Sequence, residues 1–412
     1  MHRITGVASG RRKSGRVRLL AAVLGLTAVI TASCTSGSAA PSGGGAPGSS
    51  APPENEPLSL VFSTEDEATD VAPGEPVTVA AEGGVLTEVT MLNPDGVEVD
   101  GELAEDGSGW TTAEPLGYGR TYTLSVAGEG DDGQERSEEI TFTTVQPAQQ
   151  TYVGFSPLPG ETVGVGHPLA FYFSEGVPLE DKQAVEDSIT ITTDPEVEGA
   201  FYWFDDTRVH WRPEEYWEPG TKISIDADIY GRHFGNGVYG KESRTSELTI
   251  GDSFVAHADG STYQLTVEIN GEVVKKFPMS LGKPDFRSWD GVHVVTEKHA
   301  DYLMDSSTYG LPLDQGGYQT QVKWATRIAN NGEFVHAAPW SVPQQGKEHV
   351  SHGCINLSME NAKWFYDNVK RGDVVLITDS GGRELPGDGG RGGFNDWQIP
   401  WEEWLTGGVR AG

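Results

Sequence analysis

The chain has 412 residues, and its 29 Lys and Arg residues against 61 Asp and Glu residues give a formal net charge of -32. This length predicts about three domains, each large enough to bury its own core. The charge excludes nucleic acid as a partner, because contact with phosphates needs the opposite sign. The 54 Gly and 24 Pro residues, with Thr, Val and aromatic residues in short runs, favour strands and turns over long helices.

Residues 1–34 have the pattern of an export signal. A basic run at 11–18 precedes an apolar run from Leu19 to Ile30, which is too short to span a bilayer permanently. The following Thr31-Ala-Ser-Cys34 resembles a bacterial lipobox, in which small residues precede a cysteine that receives a lipid. We therefore expect a lipoprotein signal peptide and a protein anchored to the cell membrane by a lipid on Cys34, extracytoplasmic and facing the cell wall. An ordinary signal peptidase site with an unmodified Cys34 is the alternative.

Residues 35–57 consist largely of Ser, Gly, Ala and Pro, which predicts a disordered linker. Cys34 and Cys354 are the two cysteines of the chain. Exported proteins use cysteines mainly in disulfide pairs, so a lipid on Cys34 would leave Cys354 as a lone thiol in an oxidising compartment. This placement indicates a chemical role for Cys354.

Two blocks, 58–146 and 150–251, alternate short apolar strands with turn residues. A Gly-x-Pro turn opens a strand in each block, and a glycine turn (Gly119 and Gly220) opens a late strand in each. The regular spacing predicts two immunoglobulin-like β-sandwiches in tandem, within a chain that is mainly β. We expect them to act as spacers, with binding to a wall polymer as the alternative.

The third region, 252–379, contains a strong hairpin turn at Asn270-Gly271 and the best helix pattern of the chain. Ser358 is predicted to cap this helix, Lys370 and Arg371 to form its last turn, and Gly372 to end it. Its buried face is predicted to comprise Ala362, Phe365 and Val369. A buried strand is predicted from Asp373 to Thr378. The tryptophan-rich segment 380–412 is expected to pack back on this third domain as a small cap.

Cys354 lies in the segment His349-Val-Ser-His-Gly-Cys-Ile-Asn-Leu-Ser358. A free thiol with a pKa near ~8.5 is only a few per cent ionised at neutral pH, so a nucleophilic cysteine needs a base. His352 is too close in sequence to reach across the nucleophile at a productive angle, whereas His336 lies at an apolar strand end that can come alongside. We assign His336 as the base and His352 as a structural residue of the loop. Gly353 is expected to bring backbone N–H groups close to a developing oxyanion.

His336, a gap of 14 residues from 337 to 350, and Ser351-His-Gly-Cys-Ile-Asn356 together resemble the signature of the L,D-transpeptidase family. The resemblance covers residue 253 onward, and the whole domain order is similar to mycobacterial-type members. It implies a catalytic β-sandwich that forms 3-to-3 cross-links between peptidoglycan tetrapeptide stems. Cys354 would release D-alanine and form a thioester, which the diaminopimelate amine of a second stem resolves. The resemblance also implies carbapenem inhibitors as ligands, and no cofactor or metal.

The resemblance implies roles for further residues. The main-chain carbonyl of Ala337 would orient His336, and Ser351 would be structural. A lid from 301 to 318 would face the donor stem. Residues expected to contact the stem are Met304, Tyr309, Tyr318, Asn331, Gly332, Trp340 and Asn356, with Tyr318 also assisting at the oxyanion. For Met304 and Trp340, core packing is an equally weighted alternative.

Rival functions remain open from the residues alone. Hydrolysis of the thioester by water would make the protein an L,D-carboxypeptidase. His336, His352 and Cys354 could instead bind zinc in a peptidoglycan hydrolase. The Ser280-Leu-Gly-Lys283 segment matches the Ser-x-x-Lys motif of D,D-transpeptidases, but it lies in a strand pattern without partner motifs and is attributed to chance. A wall-binding protein with an inert third domain is the last alternative.

Overall fold

The computed structural model describes residues 57–387 and 393–409. The predicted signal peptide, Cys34 and all but the last residue of the predicted linker lie outside the described residues. Within the described ranges, no helix has the length and apolar character needed to cross a bilayer.

The N-terminal part of the described chain is a two-sheet sandwich. One sheet has the strand order β1-β3-β6-β5 and the other β2-β8-β7-β4. The strands are β1 (Ser59–Phe62), β2 (Ala68–Val71), β3 (Thr78–Glu82), β4 (Gly84–Leu92), β5 (Gly101–Leu103), β6 (Gly109–Thr112), β7 (Thr121–Gly130) and β8 (Glu135–Thr144). Its core packs alternate residues of both sheets around Trp110 and Phe142.

A second two-sheet sandwich follows, with sheets β10-β12-β15-β14 and β11-β18-β16-β13 and a small β17-β9 ribbon. Its elements are β9 (Gln149–Thr151), β10 (Val153–Ser156), β11 (Thr162–Val163), β12 (Leu169–Phe173), α1 (Lys182–Asp187), β13 (Ile189–Asp194), β14 (Gly199–Trp203), β15 (Arg208–Pro213), β16 (Lys222–Ala227), β17 (Val238–Gly240) and β18 (Arg244–Ile250). Tyrosine hydroxyls join the two sandwiches. Tyr118 donates to the Gly240 carbonyl at 2.6 Å, and Tyr230 donates to the Leu116 carbonyl at 2.5 Å.

The third sandwich consists of the sheets β21-β20-β19-β27-β22 and β23-β24-β25-β26. Its elements are β19 (Phe254–Asp259), β20 (Gln264–Ile269), β21 (Glu272–Pro278), β22 (Gly291–Val294), β23 (Glu297–Asp305), β24 (Gln319–Arg327), β25 (Phe334–Ala337), β26 (Ile355–Leu357), α2 (Met359–Asn368) and β27 (Val374–Thr378). The core between the sheets includes Phe365 of α2. This confirms the predicted fold class of two immunoglobulin-like sandwiches followed by a catalytic β-sandwich; the residue limits of the domains stay predictions.

The hairpin turn and the cap of α2 agree with the sequence. Asn270 and Gly271 have φ values of 51° and 80°, and the Ser358 side chain accepts a hydrogen bond from the Asn361 amide. The predicted last turn of α2 is wrong, because the helix ends at Asn368 and Lys370 and Arg371 lie beyond it.

Beyond the end of α2, the guanidinium of Arg371 contacts the second sandwich. It pairs with Glu161 at 3.0 Å and donates to the Ser156 hydroxyl at 2.6 Å. The backbone amides of Gly164 and Gly166 donate to the carbonyls of residues 371 and 372. A Cβ at Gly164 would lie 2.2 Å from the Asp373 carboxylate, so this close approach requires glycine.

The expectation that the C-terminal segment caps the third domain is wrong for the tryptophan-rich end of that segment. The segment ends in a short helix, α3 (Trp401–Trp404), which packs on the second sandwich. Trp404 is fully buried and donates from Nε1 to the Ala200 carbonyl at 2.8 Å. The guanidinium of Arg212, on β15, lies over the rings of Trp397, Trp401 and Trp404. Residues 380–385 lie on the third domain, where the Asp290 amide donates to the Arg383 carbonyl and the Leu385 amide donates to the Asp290 carbonyl. Gln398 also contacts this domain by donating to the Val292 carbonyl of β22.

We expect Trp404→Ala to lower the free energy of unfolding by about 3–5 kcal/mol, because it leaves a large cavity and an unpaired carbonyl at Ala200. Leu405→Ala is the matched control, since Leu405 is the next residue and is 58% exposed. Chemical denaturation of both variants measures the difference. Equal stability of the two variants would contradict the packing described here.

Candidate active site

Parallel pairing of β25 with β26 brings the two predicted catalytic residues together. The register places His336 opposite Asn356, and all four residues of β25 are buried. Side chains two residues apart on a strand share a face, and Cys354 lies two residues before Asn356. His336, Cys354 and Asn356 accordingly line one small cavity of about 180 Å³. The site requires no movement to join the thiol and the imidazole in one cavity.

The His336 ring is oriented by its own strand. Its Nδ1 lies 2.9 Å from the main-chain carbonyl of Ala337, as the resemblance implied. A carbonyl oxygen only accepts hydrogen bonds, so the ring proton lies on Nδ1 and the lone pair of Nε2 is available. Burial lowers the pKa of His336 to about 4, although the bond to Ala337 opposes this shift. At neutral pH the imidazole is therefore an uncharged base.

The Cys354 thiol is 3% exposed and packs among Met304, Val322 and Phe334. Burial raises its pKa to about 12, and hydrogen bonds from the Phe334 amide and the Tyr318 hydroxyl oppose the shift without cancelling it. Its Sγ lies 3.6 Å from the Gly332 carbonyl, to which the thiol donates. Thiol and imidazole thus rest as a neutral pair and not as a thiolate–imidazolium ion pair.

The loop before Cys354 is held by two hydrogen bonds of the Ser351 side chain. Its hydroxyl donates to the Cys354 carbonyl at 2.7 Å and accepts from the Gly353 amide at 3.0 Å. Gly353 has φ 121°, a conformation that favours glycine. Because the Gly353 amide is already engaged, an oxyanion could use it only by displacing the Ser351 hydroxyl.

The predicted lid, residues 301–318, comprises the second half of β23 and its connection to β24, and the two strands pair antiparallel. The Ser306 hydroxyl joins parts of the connection to one another, because it accepts from the Tyr318 amide and donates to the Leu311 carbonyl. Met304 is 2% exposed and faces Cys354, so it both packs in the core and lines the small cavity. Tyr309 contacts Phe334 and bonds through its hydroxyl to Tyr302.

Asn331 and Gly332 lie between β24 and β25. A Cβ on Gly332 would meet the Tyr309 ring at 2.5 Å, and the residue has φ 97°, so glycine is required there. The Asn331 side chain is engaged with Glu333, accepting from its amide and donating to its carboxylate. Both residues line a cavity of about 980 Å³, which also contains Tyr309.

Tyr318 and His352 line both the small and the large cavity, so they form the boundary between the two. The His352 ring contacts the rings of Phe286 and Tyr318, and its Nε2 lies 3.1 Å from the Lys283 ammonium. Burial and the charge of Lys283 lower the pKa of His352. Burial raises the pKa of Tyr318 beyond its usual range. Both boundary residues are therefore uncharged at neutral pH.

Trp340 and Asn356 lie at the other end of the small cavity. Trp340 is 57% exposed and 6.1 Å from the His336 ring, so core packing does not explain it. Asn356 is buried and donates to the Ser341 hydroxyl at 3.2 Å.

In the described ranges, no three His, Cys, Asp or Glu side chains are placed to hold a metal ion. Ser280 of the Ser-x-x-Lys segment is fully buried; its hydroxyl accepts from the Val350 amide, and its backbone pairs with Asn356. It is a structural strand residue and not an accessible nucleophile.

Sequence reasoning missed three residues around the site. Lys283 was attributed to a chance motif, yet it contacts His352. Glu333 and His293 form a buried pair at 3.1 Å immediately behind the loop that carries Gly332. The segment Glu333-Phe-Val-His336 offered a signal, because an acid at the start of a buried strand needs a partner. Its partner is 40 residues away and has no motif of its own.

Comparison with known proteins places this site in a family. The family model described as "L,D-transpeptidase catalytic domain" matches residues 253–377, and one described as "Bacterial Ig domain" matches residues 68–233. L,D-transpeptidase 2 of Mycobacterium tuberculosis is 46% identical over 353 residues, covering 85% of each chain. L,D-transpeptidase 5 of the same organism is 38% identical and covers 84% of this chain and 76% of its own.

A solved structure of L,D-transpeptidase 3 from Mycobacterium tuberculosis, in complex with a faropenem-derived adduct, is 31% identical. It covers 55% of this chain and 97% of its own, with a TM-score of 0.47. The identity to L,D-transpeptidase 2 extends over most of both chains, including the sandwiches that precede the site. The chain belongs to the L,D-transpeptidase family.

Proposed function

We propose that this protein forms 3-to-3 cross-links in peptidoglycan through a thioester on Cys354. The observation that carries the proposal is that the side chains of Cys354 and His336 line one small cavity, with the Nδ1 of His336 fixed by the Ala337 carbonyl and its Nε2 available to take a proton. Nucleophile, base and orienting group are the three parts that nucleophilic catalysis by cysteine needs.

In the first half-reaction, the sulfur of Cys354 attacks the carbonyl between diaminopimelate and the terminal D-alanine of a tetrapeptide stem. His336 takes the thiol proton as the carbon–sulfur bond forms and gives it to the leaving nitrogen as the carbon–nitrogen bond breaks. D-alanine leaves and a thioester remains. The burial that keeps both groups neutral means that charge separates only when the substrate is bound.

In the second half-reaction, the side-chain amine of a second stem attacks the thioester. His336 removes a proton from the amine and returns it to sulfur, which restores the resting thiol. One peptide bond is exchanged for another, so the reaction needs no external energy source. The two cavities that meet at Tyr318 and His352 support a reaction with two stem substrates.

An L,D-carboxypeptidase is the second candidate. It shares the acyl-enzyme, and the large cavity is open enough to admit water as well as an amine. A zinc-dependent hydrolase finds no support in the described residues, among which no three His, Cys, Asp or Glu side chains are placed to hold a metal ion.

We also propose that the protein is extracytoplasmic and held at the membrane by a lipid on Cys34, which lies outside the described residues. The support is the basic and apolar pattern of residues 11–30 and the small residues before Cys34. Replacing Cys34 by Ala is expected to move the full-length protein from the membrane fraction to the soluble fraction of the producing cell. Unchanged membrane association of the variant would contradict this proposal.

The Cys354 assignment is tested by mass spectrometry with purified disaccharide-tetrapeptide. Wild-type protein is expected to release D-alanine and to give a dimer, whereas Cys354→Ala gives neither product. A tripeptide monomer without a dimer would identify a carboxypeptidase. A carbapenem is expected to add one drug mass to the wild type and none to Cys354→Ala, because ring opening by sulfur retains all atoms of the drug. An adduct on the alanine variant would overturn the assignment.

His336→Gln is expected to slow acylation by a tetrapeptide stem by about 10² to 10⁴-fold, the usual contribution of a general base. His257→Gln is the matched control, because His257 lies on β19 outside both cavities. Acylation by the wild type should persist below pH 6 and fall only as the pH approaches about 4, where His336 takes a proton.

Folding stability should decline over a wider range, as the pH falls from ~6.5 to about 4. The lowered pKa of His336 in the folded state means that the unfolded chain binds more protons between its ordinary value near ~6.5 and about 4. Circular dichroism at each pH separates this loss from the loss of the base. An acid limb near pH 6.5 in fully folded protein would contradict a buried, neutral His336.

A further inference from the structure

A buried carboxylate lies outside the catalytic pair. Glu333 is 4% exposed and accepts three hydrogen bonds through its side chain. The donors are the Trp289 amide at 2.8 Å, the His293 ring at 3.1 Å and the Asn331 amide group at 3.0 Å. Burying a carboxylate costs free energy unless it is paired, and both carboxylate oxygens of Glu333 accept hydrogen bonds.

The His293 ring has a hydrogen-bond acceptor at each nitrogen. Its Nδ1 lies 3.1 Å from the Gly291 carbonyl and its Nε2 lies 3.1 Å from the Glu333 carboxylate, and the residue is fully buried. Because the Gly291 carbonyl can only accept, Nδ1 carries a proton, and a second proton lies between Nε2 and Glu333. The hydrogen bond between His293 and Glu333 therefore connects β22 to the loop before β25.

The segment 288–293 is connected to the chain on both sides of Cys354. On one side, Glu333 fixes the loop whose Gly332 carbonyl accepts from the Cys354 thiol. On the other side, the Ser288 hydroxyl, one residue before Trp289, donates to the Gly353 carbonyl at 2.6 Å. The segment 288–293 thus holds Gly353 directly and Gly332 through Glu333, and Cys354 lies between the two.

We infer that Glu333, held by His293 and Trp289, is a positioning residue that sets the location of the Cys354 sulfur for attack. The inference rests on the proposed function of Cys354 as the nucleophile and names a residue through which that site is built. A displacement of about 1 Å at reacting atoms can cost about 10²-fold in rate. Loss of this link would act on the chemical step more than on the binding of the stem.

The charge of Glu333 provides a readout that a purely structural role would not give. The carboxylate helps to raise the pKa of the Cys354 thiol, after the larger effect of burial. An uncharged side chain of the same shape should lower that pKa. The titratable groups around the thiol are Tyr318, Arg327, Glu333, His336 and His352.

The test compares Glu333→Gln and Glu333→Asp with the wild type. For Glu333→Gln, we expect kcat for donor acylation to fall by about 10 to 10²-fold with little change in KM. The pH midpoint of Cys354 alkylation by iodoacetamide should move to lower pH. Glu333→Asp keeps the charge with a shorter reach, so it should lose rate without moving the midpoint. Glu360→Gln, at an exposed position on α2, is the control for removal of a negative charge from the same domain.

Several outcomes would overturn the inference. Wild-type kcat in both Glu333 variants would show that the link does not position the sulfur. If kcat falls only in proportion to the unfolded fraction, and the pH midpoint of Cys354 alkylation does not move in Glu333→Gln, then Glu333 stabilises the fold and does not position the sulfur. If Glu333→Gln does not fold, the kcat of Glu333→Asp alone tests the inference, and a wild-type kcat in that variant would overturn it. Failure of the wild type to form any acyl-enzyme would instead overturn the proposed function, so the two failures are distinguishable.

Discussion

The parallel register between β25 and β26 is the constraint on which the candidate active site depends. It sets His336 opposite Asn356 and, two residues earlier, Cys354 on the same face. A slip of one residue would turn one of the two side chains to the opposite face and separate base from nucleophile. The register is well specified because both strands are fully buried and their apolar side chains belong to the core between the sheets. Packing of the third domain thus sets the relative positions of His336 and Cys354 before any substrate binds.

Burial also protects the thiol of Cys354 against oxidation. Oxidation proceeds through exposed thiolates, whereas Cys354 is 3% exposed and burial raises its pKa to about 12. The same burial lowers the pKa of His336, so the resting pair is neutral and unreactive towards small oxidants. In the proposed reaction, reactivity depends on a substrate that fills the small cavity and is attacked by the sulfur of Cys354 as the thiol proton moves to His336. The protection of the thiol against oxidation and its selectivity for a bound substrate have one physical cause, the exclusion of water from Cys354 and His336.

Local features of the fold could be predicted from the sequence, and long-range contacts could not. The Asn270-Gly271 turn and the Ser358 cap depend on backbone preferences of a few adjacent residues. The sequence did not reveal that Arg371 lies beyond the end of α2 and bonds to Glu161, a partner 210 residues away. The motif around Cys354 predicted the pair with His336, but the supporting acid Glu333 needs His293 to be recognised, and no spacing rule relates those two residues. Lys283 was dismissed for the same reason, since its contact with His352 exists only in the folded chain.

The second sandwich is more than a spacer before the third domain. On β27, Val374 packs into the core of the second sandwich, whereas Val375 and Ile377 pack into the core of the third domain. Val255 of β19 and Val292 of β22 also pack against the second sandwich, so this sandwich covers the outer face of that sheet. The segment 288–293, which holds Gly353 and Glu333, includes the first residues of β22. The C-terminal segment is bound to the same strand through Gln398. The contacts that place the nucleophile therefore rest on a strand that is itself held by the second sandwich, which makes the second and third sandwiches one structural unit.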